Sequence, residues 1–100
     1  MTRRISILGA TGSIGQNTLD LIKRDPDSYD VVALTGGCNV AQLASDAIAL
    51  RADVAVISDE TLLHQLRDAL AGSGVEAASG ASALNDAASR PADWIMSAIV

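Results

Sequence analysis

Three glycines spaced by three, Gly9, Gly12 and Gly15, follow directly on the apolar run Ile5-Ser6-Ile7-Leu8. A helical pattern begins at once behind them, through Leu19, Leu21 and Ile22. The chemistry such a loop performs is anion binding by the backbone. Gly9 lets the chain turn sharply at the end of a strand, with backbone angles closed to other residues. Gly12 has no side chain, so a pyrophosphate can approach the main chain. Gly15 lets the following helix pack tightly on the strand. The free N–H groups of the first helical turn, with the helix dipole, then face the phosphates, and the hydroxyls of Thr11 and Ser13 can add to them. No lysine sits in the loop, which excludes a P-loop. Strand, tight turn and helix together open a dinucleotide-binding βαβ unit; a plain glycine turn with no ligand is the alternative.

A second loop bears on the choice of dinucleotide. In the usual arrangement an acid about 20 residues beyond the glycines binds the ribose 2′-hydroxyl of NAD. Here the corresponding stretch is Thr35-Gly36-Gly37-Cys38-Asn39, with no Asp or Glu. A carboxylate would repel a 2′-phosphate, so its absence permits NADP. The N–H groups of Gly37 and Cys38 and the side-chain amide of Asn39 are candidate phosphate donors. An Arg or Lys is missing, and the residues favour NADP over NAD only modestly.

Elements to hold these loops are legible in order. Ile5–Leu8 reads as a buried parallel strand. A helix is expected from about Gly12 to Lys23, with Lys23 and Arg24 at its negative end and Pro26 terminating it. Tyr29 is expected near the sheet edge, and Asp30–Leu34 as the second strand. Asn39 is a good N-cap for a second helix, whose buried face is Val40, Leu43, Ala44 and Ala47. Asp53–Ile57 is the third strand. Ser58 or Asp59 caps a third helix with the stripe Leu63, Leu66 and Leu70, ended by Gly72-Ser73-Gly74. A short strand over Val75–Ala78 and an alanine-rich helix over Ala81–Ala88 follow. Trp94–Val100 reads as another core strand. The expected fold is α/β: a Rossmann-like, doubly wound parallel sheet. A central strand ending in a free carboxylate would bury a charge, so the 100 residues are expected to form the N-terminal, incomplete dinucleotide-binding domain of a longer protein, truncated at its C-terminal end; an edge strand with an exposed end is the alternative.

Composition narrows the function. Apolar residues make up 49%, with alanine prominent and no Phe, so the core is built from small aliphatics. The net charge of −5 offers no basic face for nucleic acid. No stretch resembles a signal peptide or a membrane span, so neither membrane nor nucleic acid is an expected partner. Cys38 is the single cysteine, which excludes an internal disulfide and fits a cytoplasmic setting. It could be a reactive thiol beside helix N–H groups, although a plain loop residue is the simpler reading. His64 falls on a polar helix face at one-turn spacing from Glu60 and Asp68, as a surface histidine would. Trp94 reads as packing, and Asp20 and Asp27 as solvated. No catalytic residue and no metal ligand stands out.

The run Leu8-Gly9-Ala10-Thr11-Gly12-Ser13-Ile14-Gly15, followed by Thr18-Leu19-Asp20, resembles the 1-deoxy-D-xylulose 5-phosphate reductoisomerase family. The block Val31–Leu34 through Gly37-Cys38-Asn39-Val40 is similar to it as well, and so is the closing Met96-Ser97-Ala98-Ile99-Val100. The resemblance covers the whole chain. It implies a cytoplasmic, homodimeric enzyme of non-mevalonate isoprenoid biosynthesis. Such an enzyme isomerises and reduces a sugar phosphate to 2-C-methyl-D-erythritol 4-phosphate, using NADPH and a divalent metal, Mg or Mn. It implies that Thr11, Gly12, Ser13 and Ile14 contact the cofactor's phosphates, and that Gly37, Cys38 and Asn39 sit at its 2′-phosphate. One departure stands out: the family usually has Lys or Arg where this chain has Cys38. Its metal-binding acids, substrate site and lid would lie beyond Val100. By the crevice rule for open α/β sheets, Ser97, Ala98 and Ile99 would flank the cofactor.

Two other readings stay open on the residues alone. One is another dehydrogenase with a Gly-x-x-Gly-x-x-Gly loop, such as a semialdehyde dehydrogenase or an extended short-chain reductase. The other is a non-catalytic nucleotide-sensing module.

Overall fold

Each apolar run of four to eight residues becomes a strand, and each 3.6-residue pattern between runs becomes a helix. In the computed structural model, which describes residues 2–97, the order is β1 (Arg3–Leu8), α1 (Ser13–Arg24), β2 (Tyr29–Gly36), α2 (Val40–Leu50), β3 (Val54–Ile57), α3 (Leu63–Leu70), β4 (Glu76–Ser79), α4 (Gly80–Ser89) and β5 (Trp94–Ser97). The five strands form one sheet in the order β4-β3-β2-β1-β5, and every pairing is parallel.

The helices divide between the two faces. Leu19 and Ile22 of α1, Leu43, Ala44 and Ala47 of α2, and Leu66 and Leu70 of α3 share one core with Ile5, Ile7, Val31, Leu34, Ala55 and Ile57. Ala87 of α4, with Ala83 and Leu84 beside it, covers Val32, Ala33, Val54 and Val56 on the opposite face. The chain therefore winds one way from β1 to β4 and returns across the sheet to β5, which is the doubly wound arrangement expected. Burying a Leu or Ile side chain completely stabilises the fold by about 1.5–3 kcal/mol, so these two small-residue cores carry most of the driving force.

A bulge separates the faces on β2. Ile5 pairs with Val31, but Ser6 pairs with Ala33, leaving Val32 as an extra residue. Val32 and Ala33 both join the α4 core, and the alternation resumes with Leu34 on the other side. A bulge is a device that re-aims the residues beyond it.

The boundaries moved where geometry outweighed pattern. β2 continues through Thr35 and Gly36, both buried, so the expected loop is shorter by two residues. Leu21 lies on the outward face of α1 and is exposed. Asp59 accepts from the N–H of Thr61 and caps a short 3₁₀ turn, Glu60–Leu62, rather than α3 itself. Tyr29, expected near the sheet edge, opens β2, the middle strand, and is half-buried against the core.

The larger correction concerns Trp94–Val100. β5 is not a core strand among the described residues: Trp94, Ile95 and Met96 are 45%, 49% and 38% exposed. It pairs only with β1, and its other edge meets no described strand. The Arg3 guanidinium lies over the Trp94 ring, 4.4 Å from its centroid, a cation–π contact at the surface. Residues 98–100 lie outside the described residues, and with them the rest of that expected strand.

Candidate functional site

In a parallel sheet every strand delivers its following loop to the same edge. The β1–α1 and β2–α2 loops therefore emerge together. Strand order reverses at β1, with β2 on one side and β5 on the other, so the crevice of the fold opens beside the start of α1.

The three glycines differ in what the backbone asks of them. Gly9 has φ +83°, in the left-handed region that L-residues avoid, and makes the turn. A Cβ on Gly15 would collide with the Gly9 carbonyl oxygen and stand 2.7 Å from both Cα and O of Ala10. Helix and strand can pack this closely only without a side chain there. Gly12 is under neither constraint. Its φ is −78°, and a Cβ would meet only the Gly9 oxygen, at an ordinary 3.7 Å. Nothing in the described protein needs glycine at that position, so the space above it is left for something else.

Gly12 is the N-cap of α1 and offers no side-chain cap. The first intrahelical bond runs from Gln16 N–H to the Gly12 carbonyl, 2.8 Å. The N–H groups of Ser13, Ile14 and Gly15 have no partner among the described residues. By contrast, α2 is capped by its own chain: Asn39 Oδ1 accepts from the Gln42 N–H at 3.2 Å. That bond uses the oxygen of the Asn39 amide and leaves its NH₂ group available.

The two loops touch. A Cβ on Gly36 would lie 3.1 Å from Thr11 Cγ2 and 3.2 Å from its Oγ1, so Thr11 packs on the bare backbone at the end of β2. The carbonyl of Gly37 is held by the Ser58 hydroxyl (3.1 Å) and the Asp59 N–H (3.2 Å) from the loop after β3. The Gly37 and Cys38 N–H groups make no backbone bond among the described residues. Thr11 is half-buried, while Gly12, Ser13, Ile14, Gly37, Cys38 and Asn39 are exposed along one edge. All seven expected site residues thus share a single rim. Ser97 pairs with Leu8 and stands at the same edge, next to the glycine turn. Ala98 and Ile99 lie outside the described residues.

Several supports were not read from the sequence. Thr35 grips the glycine turn twice: its Oγ1 accepts from Gly9 N–H (2.9 Å) and its carbonyl from Ala10 N–H (2.7 Å). A threonine closing an apolar strand was a visible signal for this role. Gln16 Nε2 donates to the Ala10 carbonyl at 2.8 Å, and a glutamine on an amphipathic helix carries no such signal. Ser58, a candidate helix cap by sequence, gives its hydroxyl to the Gly37 carbonyl instead.

The remaining candidates stay apart from this rim. His64 is on the surface of α3, 3.6 Å from Asp68 and without Glu60 as a partner. Among the described residues no three His, Cys, Asp or Glu side chains gather as a metal site would require. All seven Lys and Arg lie at the opposite edge of the sheet: Arg3 and Arg4 at the start of β1, Lys23 and Arg24 in the last turn of α1, Arg51 after α2, Arg67 in the last turn of α3 and Arg90 after α4. The rim itself offers hydrogen-bond donors without cations.

The family profile described as 1-deoxy-D-xylulose 5-phosphate reductoisomerase matches residues 5–100. The reductoisomerase of Ruegeria sp. (strain TM1040) is 72% identical over 98 residues, which are 98% of this chain and 25% of that protein. That of Rhodospirillum centenum is 52% identical over 98 residues, 98% of this chain and 24% of that protein. The solved structure of the Zymomonas mobilis reductoisomerase in complex with NADPH superposes with a TM-score of 0.97 at 55% identity, covering 99% of this chain and 26% of the other. A reductoisomerase in complex with NADPH, fosmidomycin and magnesium superposes with a TM-score of 0.89 at 33% identity, covering 97% and 24%. The chain spans about a quarter of the length of these relatives. On sequence and fold together, it belongs to the 1-deoxy-D-xylulose 5-phosphate reductoisomerase family.

Proposed function

We propose that these residues are the NADPH-binding portion of a reductoisomerase whose complete chain isomerises and reduces 1-deoxy-D-xylulose 5-phosphate to 2-C-methyl-D-erythritol 4-phosphate. The observation that carries this reading is the uncapped N-terminus of α1. Three N–H groups without a partner among the described residues, and an unconstrained Gly12, stand at the crevice of a doubly wound sheet. The NADPH complex of the Zymomonas mobilis relative, on nearly the same backbone, supports it.

Thr11, Gly12, Ser13 and Ile14 cradle the pyrophosphate, and the helix dipole favours its negative charge. Gly37, Cys38 and Asn39 receive the 2′-phosphate through two backbone N–H groups and the Asn39 NH₂. NADPH, when bound, supplies the hydride for the reduction. The divalent metal, Mg or Mn, and the sugar phosphate are held by residues outside this portion, which contributes no catalytic side chain. The complete protein works as a cytoplasmic homodimer.

The test is NADPH consumption by the complete protein given 1-deoxy-D-xylulose 5-phosphate and Mg, with NADH in parallel. Turnover with NADPH is the expected result. A folded protein that binds NADPH but does not turn over would reduce the proposal to a dinucleotide-binding unit of another reaction.

A further inference from the structure

Asp46 is a carboxylate almost wholly out of water, 1% exposed, on the face of α2 turned toward α1. Burying a carboxylate is costly unless its oxygens are matched by donors. Here they are. Oδ2 accepts from Gln16 Nε2 at 2.7 Å, Oδ1 accepts from Lys23 Nζ at 3.0 Å, and Gln42 Nε2 lies 3.2 and 3.1 Å from the two oxygens. The Gln16 amide has two hydrogens, and both are committed: one to Asp46 and one to the carbonyl of Ala10, inside the glycine loop. With Ala10 N–H already bound to Thr35, the loop is fixed from two sides.

We propose that Asp46 is a positioning residue for the cofactor: through Gln16 it holds the glycine loop in the shape that presents the N–H groups of Ser13, Ile14 and Gly15. It touches no ligand itself. Its partners divide its work. Lys23 balances its charge at the far end of α1, whereas Gln16 transmits its position to the loop. Because the loop addresses the pyrophosphate, which NADPH and NADH share, loosening it weakens both cofactors by the same factor. The linkage rests on the proposed NADPH site.

The experiment measures NADPH and NADH dissociation constants of the complete protein by fluorescence titration, with thermal midpoints alongside. Asp46→Leu fills a similar volume and offers Gln16 no acceptor at all. Gln16→Met keeps the length and removes both donors. Each is expected to raise both dissociation constants about tenfold, the effect of roughly one charge-assisted hydrogen bond. The double variant is expected to be no weaker than either single one, as for two groups acting through one path. Lys23→Met is expected to lower the thermal midpoint and leave both constants unchanged. A merely structural Asp46 would instead make Lys23→Met resemble Asp46→Leu, or leave Gln16→Met without effect; either result overturns the proposal, as does a loss confined to NADPH. Should Asp46→Leu fail to fold, the contrast between Gln16→Met and Lys23→Met decides. A parent protein with no affinity for NADPH would remove the functional reading itself, and the linkage with it.

Discussion

Gly12→Ala separates the fold from the ligand, because the structure gives glycine no internal reason to be there. With φ at −78° the backbone suits alanine, and the new Cβ would meet only the Gly9 oxygen, 3.7 Å away. Two small terms oppose each other. Alanine restricts the unfolded chain, which stabilises by about 0.4–1 kcal/mol. Alanine is a poorer N-cap than glycine, which costs about 0.5–1 kcal/mol. The sum is near zero, so the thermal midpoint should stay within about 4 °C of the parent value. The ligand side is different. A methyl group above the first turn of α1 occupies the space through which a pyrophosphate would reach the N–H groups of Ser13 and Ile14. Losing one hydrogen bond to a charged group costs about 1.5–3 kcal/mol, so the NADPH dissociation constant should rise at least about tenfold. Fluorescence titration of the complete protein, paired with a thermal melt, reads both quantities. Unchanged affinity would refute the placement of the pyrophosphate. A midpoint that falls far beyond that window would show that Gly12 serves the fold after all.

Gly15→Ala should instead strike fold and ligand together, forcing backbone apart where Gly9 and Ala10 crowd the new Cβ and costing about 1–3 kcal/mol in a melt, with NADPH affinity lost in parallel. Cys38→Arg supplies the cation that the rim lacks. It should tighten NADPH about tenfold and NADH hardly at all, and equal changes for both would sink the assignment of this loop to the 2′-phosphate. Asp59 is held below the usual carboxylate range by the hydroxyl and then the N–H of Thr61. Its folded form thus takes up a proton less readily than the unfolded one, so its contribution is present at neutral pH and is lost as pH falls through the folded value. Asp59→Asn should flatten that acid limb in melts taken from neutral to acid pH.

What the residue pattern revealed follows from how local its causes are. The glycine spacing, the Asn39 cap and the alternation of short apolar runs with helical stripes all act within a few residues, and each reappears in the structure. Even the weak Val75–Ala78 run forms a strand, at Glu76–Ser79. The supports of the site were harder to see because they act across the chain. Thr35 reaches Gly9 over 26 positions and Gln16 reaches Asp46 over 30, and no periodicity encodes such pairs. The bulge at Val32 was equally hidden, since an extra residue in a fully apolar strand changes no pattern. The exposed faces of Trp94, Ile95 and Met96 mark the opposite failure. An apolar run reads as core whether or not a neighbour stands beside it, and among the described residues β5 has one neighbour only.

The segregation of every lysine and arginine to one edge of the sheet bears on how a charged cofactor arrives. Attraction between full charges reaches across about a Debye length and gathers an anion from solution, whereas hydrogen-bond donors act only at contact. A rim of N–H groups, with Asp59 and Glu60 on the adjoining loop, offers a tetra-anionic dinucleotide no long-range pull. As far as this portion sets the encounter, association should run at the unsteered rate and vary little between dilute buffer and high salt. Selectivity among anionic ligands is then exercised after collision, in how long each one stays.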